Sequence, residues 1–143
     1  LISKSLPQVL KRPSDLEARS SMQIASLLAG ISINRTRSAI AHSISYPLTS
    51  RYSVPHGIAC SFTLPYLIDL VRSLNTKFFQ KDNIISNIKN MLVNMDLKKE
   101  ILRFADIEEI FNVTDEMYSP ERAGNFYYKI SENEIYKIIK HSL

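Results

Sequence analysis

Residues 84–92 read Ile84-Ile85-Ser86-Asn87-Ile88-Lys89-Asn90-Met91-Leu92, and this stretch decides the fold class. Its apolar positions recur three and four apart, which is the repeat of one helix face and not the alternation of a half-buried strand. Towards the C-terminus the same repeat continues. Residues 106–111 form a short helix, and Ser131-Glu132-Asn133-Glu134 matches a capping box ahead of Ile135, Ile138 and Ile139. Towards the N-terminus, a helix is expected over residues 55–72, with Leu64, Leu67, Ile68 and Val71 on one face and a kink at Pro65. Before it, a helix carrying Ile40, Ala41 and Ile44 starts near Thr36. It is expected to stop near Tyr46, because the residue before Pro47 is pushed out of the α region, and residues 48–55 then form a loop. Pro13-Ser14-Asp15 opens the first long helix, with Ser14 as N-cap and Ile24, Leu27, Leu28 and Ile31 at helical spacing. No run alternates with period two, and no Asn-Gly or Asp-Gly hairpin turn is present. The expectation is a single all-α, helical bundle-like domain over residues 1–143.

Composition narrows the function classes. Apolar residues make up 45% of the chain and charged residues 22%, as in soluble globular domains. Only three glycines occur, and neither a GxGxxG nor a GxxxxGK[ST] turn is present. The net charge of +4 is spread along the chain without a basic run, which argues against nucleic acid and leaves room for an anionic substrate. Cys60 is the single cysteine, so no internal disulfide forms and no Cys-based zinc site is expected. It reads as a small core residue, in a reduced, cytoplasmic setting. The start, Leu1-Ile2-Ser3-Lys4, has no signal-peptide pattern and no methionine, so a fragment or a processed piece is expected. The longest apolar stretch, residues 57–71, is interrupted by Ser61, Thr63, Pro65 and Asp69 and is not read as a membrane span.

Chemistry concentrates at two histidines. His42 lies in Ala39-Ile40-Ala41-His42-Ser43-Ile44-Ser45-Tyr46-Pro47-Leu48, and His56 lies in Val54-Pro55-His56-Gly57, fourteen positions later. Neutral imidazole is the commonest side-chain metal ligand. A loop that returns the chain brings His42 and His56 together, as facing helices do in bundle metal sites. Two histidines are still too few for a working site. Spacing alone leaves open that both are ordinary structural histidines.

The words around the pair resemble a known family. Ala29-Gly30, His42, Pro47-Leu48, Pro55-His56-Gly57 and Leu64-Pro65 follow one another as in the iron-containing (group III) alcohol dehydrogenases. That family carries an Ala-Gly pair in a long helix, a His-x-x-x-His-Pro-Leu-Gly segment, and a Pro-His-Gly fourteen residues after the first of those histidines. The helix capped at Ser131 looks like the family's closing helix, so the resemblance covers most of the chain. It implies the C-terminal helical part of a dehydroquinate synthase-like fold. It further implies a divalent metal, Fe2+ or in some members Zn2+, held by one aspartate and three histidines, with His42 and His56 as two of the ligands. The other two come, in the family, from an Asp-x-x-x-His motif that this sequence does not contain. NAD(P) is bound mainly by an N-terminal α/β domain that is also absent from this sequence. The implied activity is hydride transfer between NAD(P)H and a small aldehyde or alcohol, with no nucleic acid or membrane as partner and a homo-oligomer left open.

Departures from the family pattern carry the substrate reading. The family's second histidine, four residues after the first, is Tyr46 here, a candidate catalytic hydrogen-bonding or proton-relay group. Ser45 flanks the site and can donate a hydrogen bond. The usually glycine-rich turn before His42 reads Asn34-Arg35-Thr36-Arg37-Ser38. Guanidinium suits a bidentate grip on phosphate, phosphonate or carboxylate. Arg37 and Arg35 are therefore candidate substrate-binding residues, and the stretch looks like the phosphonoacetaldehyde reductase branch. The competing expectation is a non-catalytic helical module, or a degenerate remnant used in protein contacts. Against it stands the retained spacing of His42 and His56.

Overall fold

A computed structural model describes residues 1–74 and 83–143. Among these residues the chain is helical, with no strand. The elements are α1 (Ile2–Lys11), α2 (Leu16–Thr36), α3 (Ile40–Tyr52), α4 (His56–Ser61), α5 (Leu64–Leu74), α6 (Asn83–Asn94), α7 (Leu97–Ile101) and α8 (Ile107–Asn112). A 3-10 turn (Thr114–Met117), α9 (Pro120–Gly124) and α10 (Glu132–Ser142) complete the chain. They form two compact units, Leu1–Arg37 and Ser38–Leu143.

The first unit pairs α1 with α2. The helix cap differs from expectation: Asp15, not Ser14, is the N-cap of α2, and its carboxylate accepts the Ala18 N–H at 3.0 Å. The buried positions of α2 are Ala18 and Ala25. Its larger apolar stripe is not core. Ile24, Leu27, Leu28 and Ile31 remain 51–66% exposed. The buried face is the one that carries Ala18 and Ala25, and α1, with 10 residues against 21, spans at 1.5 Å per residue only about half of its partner.

The second unit holds the main core. Ile40, Ile44 and Leu48 on α3 are fully buried, as are Val54, Ile101, Ile110 and Met117, and Ile130, Ile135, Ile138 and Ile139 are 0–1% exposed. Helix α3 packs on α4, on the 3-10 turn and on α9. It does not stop at Tyr46 but continues through Pro47 to Tyr52. Leu48 sits one turn beyond Ile44 on the buried face, and that burial, worth about 1.5–3 kcal/mol for such a side chain, favours continuing the helix despite the proline. Further ties fix its end. Arg51 pairs with Glu116 through Nη2 at 2.7 Å and Nε at 2.9 Å, and the Tyr52 hydroxyl donates to the Glu109 carbonyl at 3.0 Å.

The loop expected over residues 48–55 shrinks to three residues. Ser53 takes the left-handed conformation at φ 56° and reverses the chain into Pro55 and His56. The stretch His56–Leu74 is long and apolar enough to cross a membrane by length and composition alone. It is not one helix, because a break at Phe62 and Thr63 separates α4 from α5. Pro65 consequently lies in the first turn of α5, where its missing N–H has no intrahelical partner to lose, and not at a kink. The cap expected on the last helix is present: the Glu134 carboxylate accepts the Ser131 N–H at 2.7 Å and its hydroxyl at 2.9 Å on α10. The structure adds a second capping box, Asp106 with Glu109 on α8, that was not read from the sequence.

Candidate metal and substrate site

The reversal at Ser53 sets the first turn of α4 against the middle of α3. The rings of His42 and His56 meet edge to face, with centroids 5.5 Å apart. Tyr46, one turn after His42, stacks on His56 at 6.2 Å. Cys60 lies one turn after His56 on α4, so the two share a face. Its sulfur is 3.5 Å from His56 Nε2 and 3.8 Å from Nδ1. One ligand atom each from His42, His56 and Cys60 fall within 4.8 Å of one another.

Ser45 and Ser43 serve different ends. Ser45 is fully buried. Its hydroxyl donates to the His42 carbonyl at 2.8 Å, and its oxygen faces His56 Nδ1 at 3.5 Å. With the Ser45 proton committed, an N–H at Nδ1 is the one that fits this contact, which leaves Nε2, the ring nitrogen nearer the Cys60 sulfur, without a proton. The Ser43 hydroxyl instead donates to the Met117 carbonyl at 2.6 Å and ties α3 to the 3-10 turn.

Arg122, on α9, completes the wall. Its guanidinium lies 4.7 Å from the centre of the Tyr46 ring, and Nη2 reaches the Tyr46 hydroxyl at 3.5 Å. Its buried Nε has no hydrogen-bond partner among the described residues. Burial, the neighbouring His56 and the Arg122 charge, in that order, hold the His42 pKa below the usual histidine value. These influences favour the neutral form of His42, the form that a metal ligand needs. Burial pushes the Cys60 thiol up, against a smaller opposing effect of its hydrogen bond with Ser45.

The donor set fits a divalent cation of borderline softness. Two imidazoles and a thiol converge, and among the described residues no carboxylate belongs to the cluster. The structure thus gathers His42, His56, Tyr46 and Ser45. Arg35 and Arg37 belong to the first unit, at the C-terminal end of α2. Two residues of the site were not read from the sequence. Cys60 is half-exposed at the site and not a core residue; its i+4 spacing from His56 was the available signal. Arg122 lies 76 positions from its Tyr46 contact, and no local pattern announces it.

The whole chain, residues 1–143, matches the sequence model of the Fe-containing alcohol dehydrogenase family, C-terminal. The chain belongs to this family. Among curated relatives, 1,3-propanediol dehydrogenase of Klebsiella pneumoniae is 37% identical over 67 residues, covering 47% of this chain and 17% of the relative. Long-chain-alcohol dehydrogenase 1 of Geobacillus thermodenitrificans is 35% identical over 77 residues, covering 54% and 20%. Sulfoacetaldehyde reductase of Bilophila wadsworthia is 28% identical over 111 residues, covering 78% and 28%. The chain therefore spans less than a third of the length of each of these relatives. No solved structure matches it significantly. Family membership agrees with the all-α fold expected from the sequence.

Proposed function

We propose that this chain is the C-terminal helical part of a longer, cytoplasmic, metal-dependent oxidoreductase that reduces a small anionic aldehyde with NAD(P)H. The observation that carries the reading is the convergence of His42, His56, Tyr46 and Arg122 in a chain of the Fe-containing alcohol dehydrogenase family. His42 and His56 are the side chains that would hold part of the metal, and the remaining family ligands and the nicotinamide site belong to the rest of the enzyme. A divalent ion in such a site supplies a Lewis acid towards a carbonyl oxygen.

The chain's own groups have defined tasks in this reading. Ser45 orients the His56 ring through the contact at Nδ1. Tyr46 presents a hydroxyl beside the site, where it hydrogen-bonds the substrate oxygen or relays a proton. Its ring is fixed by stacking on His56 and by the guanidinium over its face. Arg122 grips the anionic group of the substrate through the guanidinium it holds beside the Tyr46 hydroxyl. Substrate binding by Arg37 and Arg35 is a separate proposal that rests on their place in the sequence before His42. A relative named for sulfoacetaldehyde, an anionic aldehyde, supports this substrate class, and phosphonoacetaldehyde fits the same description.

The test is kinetic and uses the complete enzyme. Arg122→Gln should lower kcat/KM for phosphonoacetaldehyde or sulfoacetaldehyde by about 10–100-fold, the size of one lost charge-assisted hydrogen bond. The loss for propanal, which bears no charge, should be much smaller. Equal losses on charged and uncharged aldehydes would remove Arg122 from substrate recognition.

A further inference from the structure

We propose that Cys60 is a third metal ligand, so that this chain holds a soft divalent cation through two nitrogens and one sulfur of its own. The inference rests on reading His42 and His56 as ligands, and it adds a donor that the sequence pattern of the family did not supply. Geometry is its basis. With metal–nitrogen bonds near 2.05 Å and a metal–sulfur bond near 2.3 Å at a tetrahedral angle, the nitrogen–sulfur edge is about 3.6 Å. The observed separation of Cys60 Sγ from His56 Nε2 is 3.5 Å, close to that edge. Nδ1 is only slightly farther at 3.8 Å, so the sulfur lies beside the ring and the imidazole must turn to bring its Nε2 lone pair onto a shared ion. His42 brings its own donor into the same 4.8 Å circle.

Three further observations agree. Ser45 engages His56 at Nδ1 and leaves Nε2, the nitrogen nearer the sulfur, for the cation. Cys60 is half-exposed, which leaves a route for an ion. The thiol has no disulfide to make within these residues, because it is their single cysteine. On binding, the sulfur–metal bond forms, the S–H bond breaks and the proton leaves to solvent, so the metal keeps its oxidation state. A thiolate donor favours zinc or cobalt over magnesium and manganese.

The experiment is a cobalt(II) chloride titration of the 143-residue chain, followed by absorption. A thiolate ligand produces a sulfur-to-cobalt charge-transfer band in the near ultraviolet, separate from the visible bands of tetrahedral cobalt. The intact chain should show both. Cys60→Ser should lose the charge-transfer band, keep weaker visible bands, and bind cobalt more weakly by over about tenfold, the minimum cost of losing even an outer partner of a ligand. A second readout guards against misfolding and involves no cysteine variant. Zinc should slow iodoacetamide alkylation of Cys60 in the intact chain and fail to do so in His56→Ala. Cobalt bound without a charge-transfer band, or alkylation indifferent to zinc, overturns Cys60 as a ligand and leaves the histidines standing. Cobalt binding unchanged in both His42→Ala and His56→Ala overturns the metal reading of the histidines themselves.

Discussion

At the scale of single residues, the site depends on which nitrogen of His56 is free. The buried Ser45 hydroxyl spends its proton on the His42 carbonyl at 2.8 Å, so His56 Nδ1 meets an oxygen and Nε2 is left without a proton. Removal of that imidazole should be decisive. In the complete enzyme, His56→Ala is expected to lower the metal content per subunit severely, measured by elemental analysis after dialysis, with helicity by circular dichroism unchanged. The exposed position of His56 on α4 makes the second expectation reasonable, since no core contact is lost. An unchanged metal content would strike His56 from the ligand set. The histidine pair stood out in the sequence through the words around it, Ala29-Gly30, Pro47-Leu48, Pro55-His56-Gly57 and Leu64-Pro65, since a fourteen-residue spacing alone is shared by ordinary structural histidines. Cys60 was masked by its setting: an apolar run makes a cysteine look like packing, although i+4 from a histidine on a helix is ligand spacing. Arg122 was illegible, because a contact closed by folding over 76 positions leaves no periodicity to find.

At the scale of elements, the capping box read at Ser131 and Glu134 places a carboxylate where a helix start needs an acceptor. The N-cap read at Ser14 is one residue early, since Asp15 takes that place, and the box of Asp106 with Glu109 was not read at all. Patterns that depend on a distant partner fared worse. The stripe from Ile24 to Ile31 has helical spacing, yet it is exposed, because periodicity shows that a face exists and not what covers it. Helix α3 passes Pro47 because Ile40, Ile44 and Leu48 bury one continuous face, which the dipeptide rule does not see. The α10 cap gives a pH prediction. Burial alone would raise the Glu134 pKa, but hydrogen bonds from the Ser131 N–H and hydroxyl and from Tyr128, with the Lys137 charge, bring it below the usual glutamate value. A carboxylate that binds its proton less tightly in the folded state stabilises the fold above its unfolded pKa. That contribution is lost as pH falls through the folded pKa. Glu134→Gln keeps an acceptor for the Ser131 N–H and removes only the charge, so it should cost about 0.3–1 kcal/mol near neutral pH, the range for a charge at a helix N-terminus. The difference from the parent chain should shrink towards zero near pH 3, below the carboxylate range. Chemical denaturation followed at several pH values measures this. A gap that persists undiminished into acid would mean that the ionised Glu134 is not what caps α10.

At the scale of the molecule, binding a metal and transferring a hydride are separable properties. The donors His42, His56 and Cys60 all lie within Ser38–Leu143, in one compact unit whose core is closed by Ile110, Met117 and the α10 isoleucines. Hydride transfer needs in addition a bed for a dinucleotide pyrophosphate, which a glycine-rich turn at a helix N-terminus ordinarily supplies. This sequence has three glycines, Gly30, Gly57 and Gly124, each standing alone within a helix and none in such a turn. The 143-residue chain should accordingly bind cobalt or zinc while showing no oxidation of NADH or NADPH in the presence of phosphonoacetaldehyde, sulfoacetaldehyde or propanal, read by the loss of cofactor absorbance. The complete enzyme, assayed in parallel, should turn over at least one of them and lose that activity on chelation of its metal. Cofactor oxidation by the 143-residue chain that disappears in His56→Ala would refute the division, because it would place a nicotinamide site inside these helices.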